Sequence, residues 1–252
     1  MADSHRYGPQ FFQYINAGSF AAARVVCPLL VGWLAPRSVI DVGCGAGAWC
    51  RVWREQGVAE VRGVDGAYVD PASLLIPVED FQAIELSRPF DQERRFDLVT
   101  SLEVAEHIPA DCAETFIDNL VRHGSVVLFS AAVPGQGGEF HVNERPLSYW
   151  RTRFADRGYR CFDPLRPRLR GERRVAPWYR YNTLLYVASD AVSSLPEAIR
   201  AHEIPEGQPI PEVASRYWQL RNAILRALPA RAHEVLVFVR HEWGRRIRPF
   251  RA

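Results

Sequence analysis

Two stretches place histidine and carboxylate side chains within reach of one another. In "LEVAEHIP" (102–109), Glu106 and His107 follow Glu103 by three and four residues; in "PGQGGEFHVNERPLSYW" (134–150), Glu144 follows His141 by three. A neutral imidazole can take a proton near pH 7, and a carboxylate on its other ring nitrogen orients it and steadies the charge that develops. His141 as general base with Glu144 as its orienter is the leading pair, and His107 is the second candidate base. The competing reading is structural, with His141 capping a helix or bonding a backbone carbonyl.

If Glu103 opens a helical turn, Glu106 and His107 share its face, and three oxygen and nitrogen donors there could hold a divalent cation. A helix-start acid beside a hydrogen-bonded histidine explains the same residues, and no metal is the expectation.

A third stretch, "VIDVGCGAGAW" (39–49), concerns a cofactor. Gly43, Gly45 and Ala48 fit the G-x-G-x-x-G/A dinucleotide turn, while Asp41, Gly43, Gly45 and Gly47 form a glycine turn led by an acid. A dinucleotide puts its pyrophosphate at the helix N-terminus behind such glycines. The Asp41 carboxylate would repel that anion and attract the ammonium of S-adenosylmethionine. Asp65, at the end of the next apolar run, suits a ribose in either case.

These residues need a scaffold, and the hydrophobic pattern supplies one. Short apolar runs at 38–42, 60–66, 81–86, 95–102, 125–133 and 180–189 read as strands. Helical spacing fills 14–34 as one or two helices with Ser19 as a cap, then 47–57, 113–124 and 148–159. Strands alternating with helices predict an α/β fold, a mainly parallel sheet with helices on both faces and with ligands at one edge. The expected organisation is an N-terminal helical lid (1–37), a core (38–189) and a C-terminal helical extension (190–252), the last a place for a homodimer contact.

"VIDVGCGAGAW", "VRGVDG", "FDLVTSLEVAEHIP" and "GSVVLFSAAVPGQGG", in that order, resemble the successive motifs of class I S-adenosylmethionine-dependent methyltransferases over about residues 14–189. The resemblance implies a Rossmann-like seven-stranded sheet with its last strand antiparallel, and methyl transfer from S-adenosylmethionine. It makes Asp41, Gly43, Gly45 and Gly47 cofactor contacts, Asp65 the ribose ligand, and Ser101, Leu102 and Glu103 the loop beside the donor. Glu85 and Leu86 stand where the family has an Asp followed by Leu or Val near the adenine, and Tyr14 corresponds to a tyrosine that faces the cofactor. The Glu103, Glu106 and His107 spacing is similar to that of a metal-using ubiquinone-biosynthesis O-methyltransferase subgroup. The "GG-x-x-H-V-N-E" loop resembles a subtype seen in natural-product and saccharide tailoring.

Composition narrows the rest. All 31 basic residues among the 252 are arginine, so Schiff-base, P-loop and Tyr-x-x-x-Lys chemistry is excluded. A net charge of +2 gives no general case for nucleic acid, and "SLEVAEH" stands where base-amine methylases carry Asn/Asp-Pro-Pro-aromatic. The five cysteines lack zinc-ligand spacing, the first ten residues lack the order of a secretory signal, and no apolar run is long enough to span a membrane. A cytoplasmic enzyme that methylates a small or medium-sized molecule at a hydroxyl is the expectation. N- or C-methylation, an NAD(P)-dependent oxidoreductase and a non-catalytic cofactor-fold protein are the alternatives. "PWYRYN" (177–182) is expected to frame the acceptor pocket at the entrance to the last strands, and the arginine-rich end "RHEWGRRIRPFRA" to be exposed.

Overall fold

The computed structural model describes residues 9–227, with side chains from residue 18 onward. Helix α1 (Pro9–Leu34) leads into β1 (Ser38–Val42), α2 (Ala48–Glu55), β2 (Glu60–Asp65) and β3 (Phe81–Ala83). Next come β4 (Leu98–Leu102), α3 (Ala113–His123), β5 (Val126–Ser130), α4 (Leu147–Ala155) and β6 (Tyr159–Phe162). The short α5 (Arg166–Leu169) and α6 (Pro177–Asn182) precede β7 (Leu184–Ala188), followed by α7 (Glu197–Arg200), β8 (Glu203–Ile204) and α8 (Arg216–Ala227).

Every residue of β1 and β4 is buried, as central parallel strands covered on both faces require. Their side chains alternate between two cores. Val39 and Leu98 join α1, α2 and α6 on one face, where Leu30, Trp53 and Tyr179 pack. Ile40, Val42 and Val99 join α3 and α4 on the other, with Phe116, Leu120 and Phe154. Each such side chain fully removed from water contributes roughly 1.5–3 kcal/mol.

The strand order is β3-β2-β1-β4-β5-β7-β6-β8, with β7 antiparallel to β5 and β6. The antiparallel strand agrees with the expected Rossmann-like sheet, but among the described residues the sheet has eight strands rather than seven. The extra one, β8, pairs with β6 inside the segment expected to be helical. Connections run outward from β1 to β3 on one side and from β4 to β5 on the other. The loops after β1 and β4 therefore diverge at the carboxyl edge and leave a crevice there.

Four local expectations need correction. Ser19 is no cap: it lies inside the single helix Pro9–Leu34, which runs through Pro28 and agrees with the expected one or two helices, and it is hydrogen-bonded to the Tyr179 hydroxyl at 3.0 Å. The third strand stops at Ala83, because the chain turns where Glu85 Oε1 accepts from the Ser87 hydroxyl at 2.7 Å. The fourth begins at Leu98, with Phe96 making only a single bridge to Gly124. "PWYRYN" forms α6, since Pro177 has the fixed φ that suits a helix's first turn. Among the described residues no helix is long and apolar enough to cross a membrane.

Candidate active site

The glycine turn joins the end of β1 to α2, and its shape is set by contacts on both sides. Gly43 and Cys44 donate their amides to Val64 O at 2.8 and 3.2 Å, which ties the turn to β2. At Gly43 φ is +85°, and a Cβ would sit 2.3 Å from Val104 Cγ2, so glycine is required by both backbone and space. Gly47 has φ +88° with Ile76 close by, whereas the space around a Cβ on Gly45 is open to 4 Å. Open space at the middle glycine is what a ligand approaching the backbone needs.

Two buried acids flank the turn. Asp41 accepts from Thr100 Oγ1 at 2.6 Å and from Cys50 Sγ at 3.7 Å. Burial pushes its carboxyl up to about 7, against the Thr100 bond, and the nearby Asp65 adds to the rise. Asp65 reaches back to the turn, accepting from Gly45 N at 2.6 Å and Gly66 N at 2.7 Å, and from the Tyr68 hydroxyl. Burial raises its carboxyl as well, opposed by those bonds.

The other predicted cofactor residues are distributed along the same edge. Ser101 is fully buried and donates to Val42 O at 2.9 Å, and Leu102 is buried beside it. Glu85 is exposed after β3, with its side chain engaged by Ser87, while Leu86 is buried in the second core. Tyr14 lies on α1, but its side chain falls outside the described residues, as does the arginine-rich end.

Beyond β4 the expected helical face does not form. Glu103 has φ +60° and stands outside the single 3-10 turn that spans Ala105–His107, so Glu103, Glu106 and His107 do not share a face. Glu103 turns instead to Gln136, whose Nε2 donates to Glu103 Oε2 at 2.7 Å. Glu106 and His107 converge with His141: each of the three offers one ligand atom, all within 4.8 Å of one another.

The loop after β5 brings His141 to this point. Glu144 Oε1 lies 2.8 Å from His141 Nδ1 and also accepts from Gly137 N, while Glu144 Oε2 accepts from Gly135 N. Burial works to raise the Glu144 carboxyl, but the His141 bond and the two amides hold it below its ordinary value. With Nδ1 on Glu144, His141 directs Nε2 toward Glu106 Oε1 at 3.9 Å, and its ring meets that of His107 edge-on at 4.9 Å. His107 Nδ1 lies 3.3 Å from Phe140 O. Burial pushes His107 down to about 4, and the neighbouring His141 acts in the same direction. A base that weak takes up few protons near neutrality, which leaves His141 the better placed of the two.

Glu106 is 1% exposed and neither carboxylate oxygen has a partner at full hydrogen-bond distance, although the backbone amides of Glu106 and Ala132 lie near enough to favour its ionised form. Burial, with Glu103 nearby, raises its carboxyl well above the usual range. Asn143 Nδ2 is likewise buried without a partner, and the buried Ser130 hydroxyl lies near enough to favour the ionised Glu103 without a full hydrogen bond to it. An unsatisfied buried polar group is costly, so such a cluster beside a crevice marks a place for a polar ligand.

Sequence reasoning missed Thr100, and it reached Gln136, Tyr179 and Asn182 only as members of the stretches 134–150 and 177–182, without singling them out. Asn182 donates to Gln136 Oε1 at 2.8 Å, and the Tyr179 ring meets Trp49 edge-on at 5.5 Å. The polar Thr100 inside an apolar strand was the one local signal available.

Comparison with known proteins places this arrangement in context. Residues 21–166 match a family model described as a methyltransferase domain. The ubiquinone biosynthesis O-methyltransferase of Neisseria meningitidis serogroup C is 29% identical over 149 residues, covering 53% of this chain and 58% of that protein. The enzyme of the same name from Alkalilimnicola ehrlichii is 31% identical over 130 residues, 47% of each chain. The chain thus spans about half the length of the curated relatives it matches. Among solved structures, a sugar N-methyltransferase from a Streptoalloteichus species aligns with TM-score 0.59 at 15% identity, covering 75% of this chain and 95% of that one. Magnesium protoporphyrin IX methyltransferase from Synechocystis aligns with TM-score 0.50 at 19% identity, covering 73% and 90%. At these identities the structural likeness is one of fold.

Proposed function

The chain belongs to the class I S-adenosylmethionine-dependent methyltransferases, and from that premise we propose that it moves the methyl group of S-adenosylmethionine onto a hydroxyl of a small molecule. The acid-led glycine turn with Asp41 and Asp65 forms the donor half of the site. Asp41 serves the donor's ammonium, and Asp65 its ribose. Glu103, Ser101 and Leu102 wall the methionine end.

Transfer from a sulfonium is an in-line displacement in which holding donor and acceptor in a dry pocket supplies much of the rate. The acceptor oxygen attacks the methyl carbon as the carbon–sulfur bond breaks, and its proton passes to His141 Nε2. Glu144 then stabilises the imidazolium. The observation that carries this reading is the 2.8 Å contact between His141 Nδ1 and Glu144 Oε1, which leaves Nε2, 3.9 Å from Glu106 Oε1, as the ring nitrogen without a hydrogen bond at contact distance.

The ubiquinone-biosynthesis relatives are named O-methyltransferases and the Streptoalloteichus neighbour a sugar N-methyltransferase. The base pair favours the oxygen, since an amine can attack as its neutral form without a dedicated base. Incubation with methyl-labelled S-adenosylmethionine and metabolite fractions tests this: label on oxygen, lost in His141→Ala, supports it, and label on nitrogen contradicts it.

A second reading is favoured by the orphaned oxygens of Glu106. Glu106, His107 and His141 supply nitrogen and carboxylate donors of the kind that suits a divalent transition metal. Such an ion would act as a Lewis acid and lower the pKa of an acceptor hydroxyl. Glu106 and His107 would bind through one carboxylate oxygen and one ring nitrogen, and Glu144 would orient His141 as a ligand rather than as a base.

A further inference from the structure

Helix α8 lies across the acceptor loop. Its Trp218 and Asn222 are buried, and Arg221 Nη1 donates to Gln136 O at 2.8 Å and to Asn222 Oδ1 at 2.8 Å. The Arg221 guanidinium also sits over the Trp218 ring, 4.6 Å from its centre. The approach is close: at Gly135, where φ is +83°, a Cβ would lie 2.1 Å from Asn222 O. Only glycine admits the helix backbone there.

Gln136 connects α8 to both halves of the site. Its carbonyl accepts from Arg221, its Nε2 donates to Glu103, and its Oε1 accepts from Asn182 on α6. The residues on either side, Gly135 and Gly137, donate the two amides that Glu144 accepts. A segment holding Gly135, Gly137 and Gly138 has high conformational entropy of its own, and fixed partners must hold it. Displacing Gln136 would displace Glu144, and with it His141.

We propose that Arg221 and Gln136 are positioning residues of the acceptor site: through them α8 fixes Glu103 and the loop that carries His141 and Glu144, so α8 completes the active site. This rests on the proposed roles of those residues, but it makes a separate physical claim about the loop.

The test uses the full chain with Arg221→Ala, Arg221→Lys and, as a control on the outer face of the same helix, Tyr217→Ser. Amide hydrogen exchange at Gly135 and Gly137 should rise at least tenfold in Arg221→Ala, and Arg221→Lys should restore most of the protection. With the acceptor found by labelling, kcat should fall at least tenfold and by more than any rise in the donor KM, and Tyr217→Ser should match wild type. Should Arg221→Ala fail to fold, Gln136→Met applies the same criteria. Exchange within twofold of wild type overturns the proposal, and so does faster exchange with unchanged kcat. Failure of S-adenosylhomocysteine to bind wild type would instead defeat the donor reading, and the exchange result would still decide the claim about the loop.

Discussion

His141 Nδ1 and Glu144 Oε1 lie 2.8 Å apart, and that same oxygen accepts the amide of Gly137. One carboxylate therefore both orders the glycine loop and sets the direction of the imidazole. Glu144→Gln keeps the size and loses the charge. It should lower kcat by about 10–100-fold with a small change in donor affinity, measured by steady-state kinetics. An unchanged kcat would remove Glu144 from the mechanism.

His107 should matter less. Held at about 4, it is neutral across the working range and contributes little as a base. His107→Ala is expected to retain activity within roughly fivefold of wild type, against a loss of about 100-fold for His141→Ala. The reverse order would exchange their roles.

Asp41 gives a pH dependence with a definite sign. Its carboxyl is raised to about 7 in the folded chain, so the folded state holds the proton that the unfolded state releases near 3.8. Its contribution to stability is present below that lower value and is lost as pH rises toward 7, by roughly 1.4 kcal/mol for each unit between. A ligand ammonium favours the ionised form, so S-adenosylhomocysteine binding at pH 6 should release a proton. Calorimetry in buffers of different ionisation enthalpy reads this directly. Asp41→Asn should abolish the release, and an unaltered release would assign the proton to another group.

Two glycine substitutions should act with opposite signs. Gly43→Ala meets Val104 at 2.3 Å with φ at +85°, and should cost about 2 kcal/mol or more and abolish S-adenosylhomocysteine binding. Gly18 lies inside α1 with open space to 4 Å, so Gly18→Ala should stabilise by about 0.5–1 kcal/mol. Denaturant midpoints of the two variants check both signs.

Chelation separates the two readings of the histidines. If His141 acts as a base, activity survives exhaustive treatment with EDTA. If Glu106, His107 and His141 hold an ion, chelation abolishes transfer and a divalent metal restores it, with restoration lost in Glu106→Gln.

The parts of this fold that the chain spells out locally are its central ones. β1, β4 and β5 are mostly apolar runs buried along nearly their whole length, and the glycine turn led by Asp41 is legible in its spacing. Edge features depend on partners far away in sequence. β8 is two residues long and exists through its pairing with β6, which left no periodic trace between Gly158 and the loop that follows. Glu103 was expected on a helical face with Glu106, but a positive φ and the distant Gln136 turn it away. His141 entered the Glu106 and His107 cluster because the backbone amides of Val142 and Asn143 both bond Glu106 O, at 2.9 and 3.0 Å. No spacing rule connects residues brought together that way.

Transfer of label from methyl-labelled S-adenosylmethionine tests the central claim most directly, with wild type and His141→Ala run side by side on the acceptor-containing fraction. The account predicts labelled product with the methyl on oxygen, and a rate about 100-fold lower in the variant at undiminished S-adenosylhomocysteine affinity. Equal rates in the two proteins, or no transfer by a wild type that fails to bind S-adenosylhomocysteine, would contradict it.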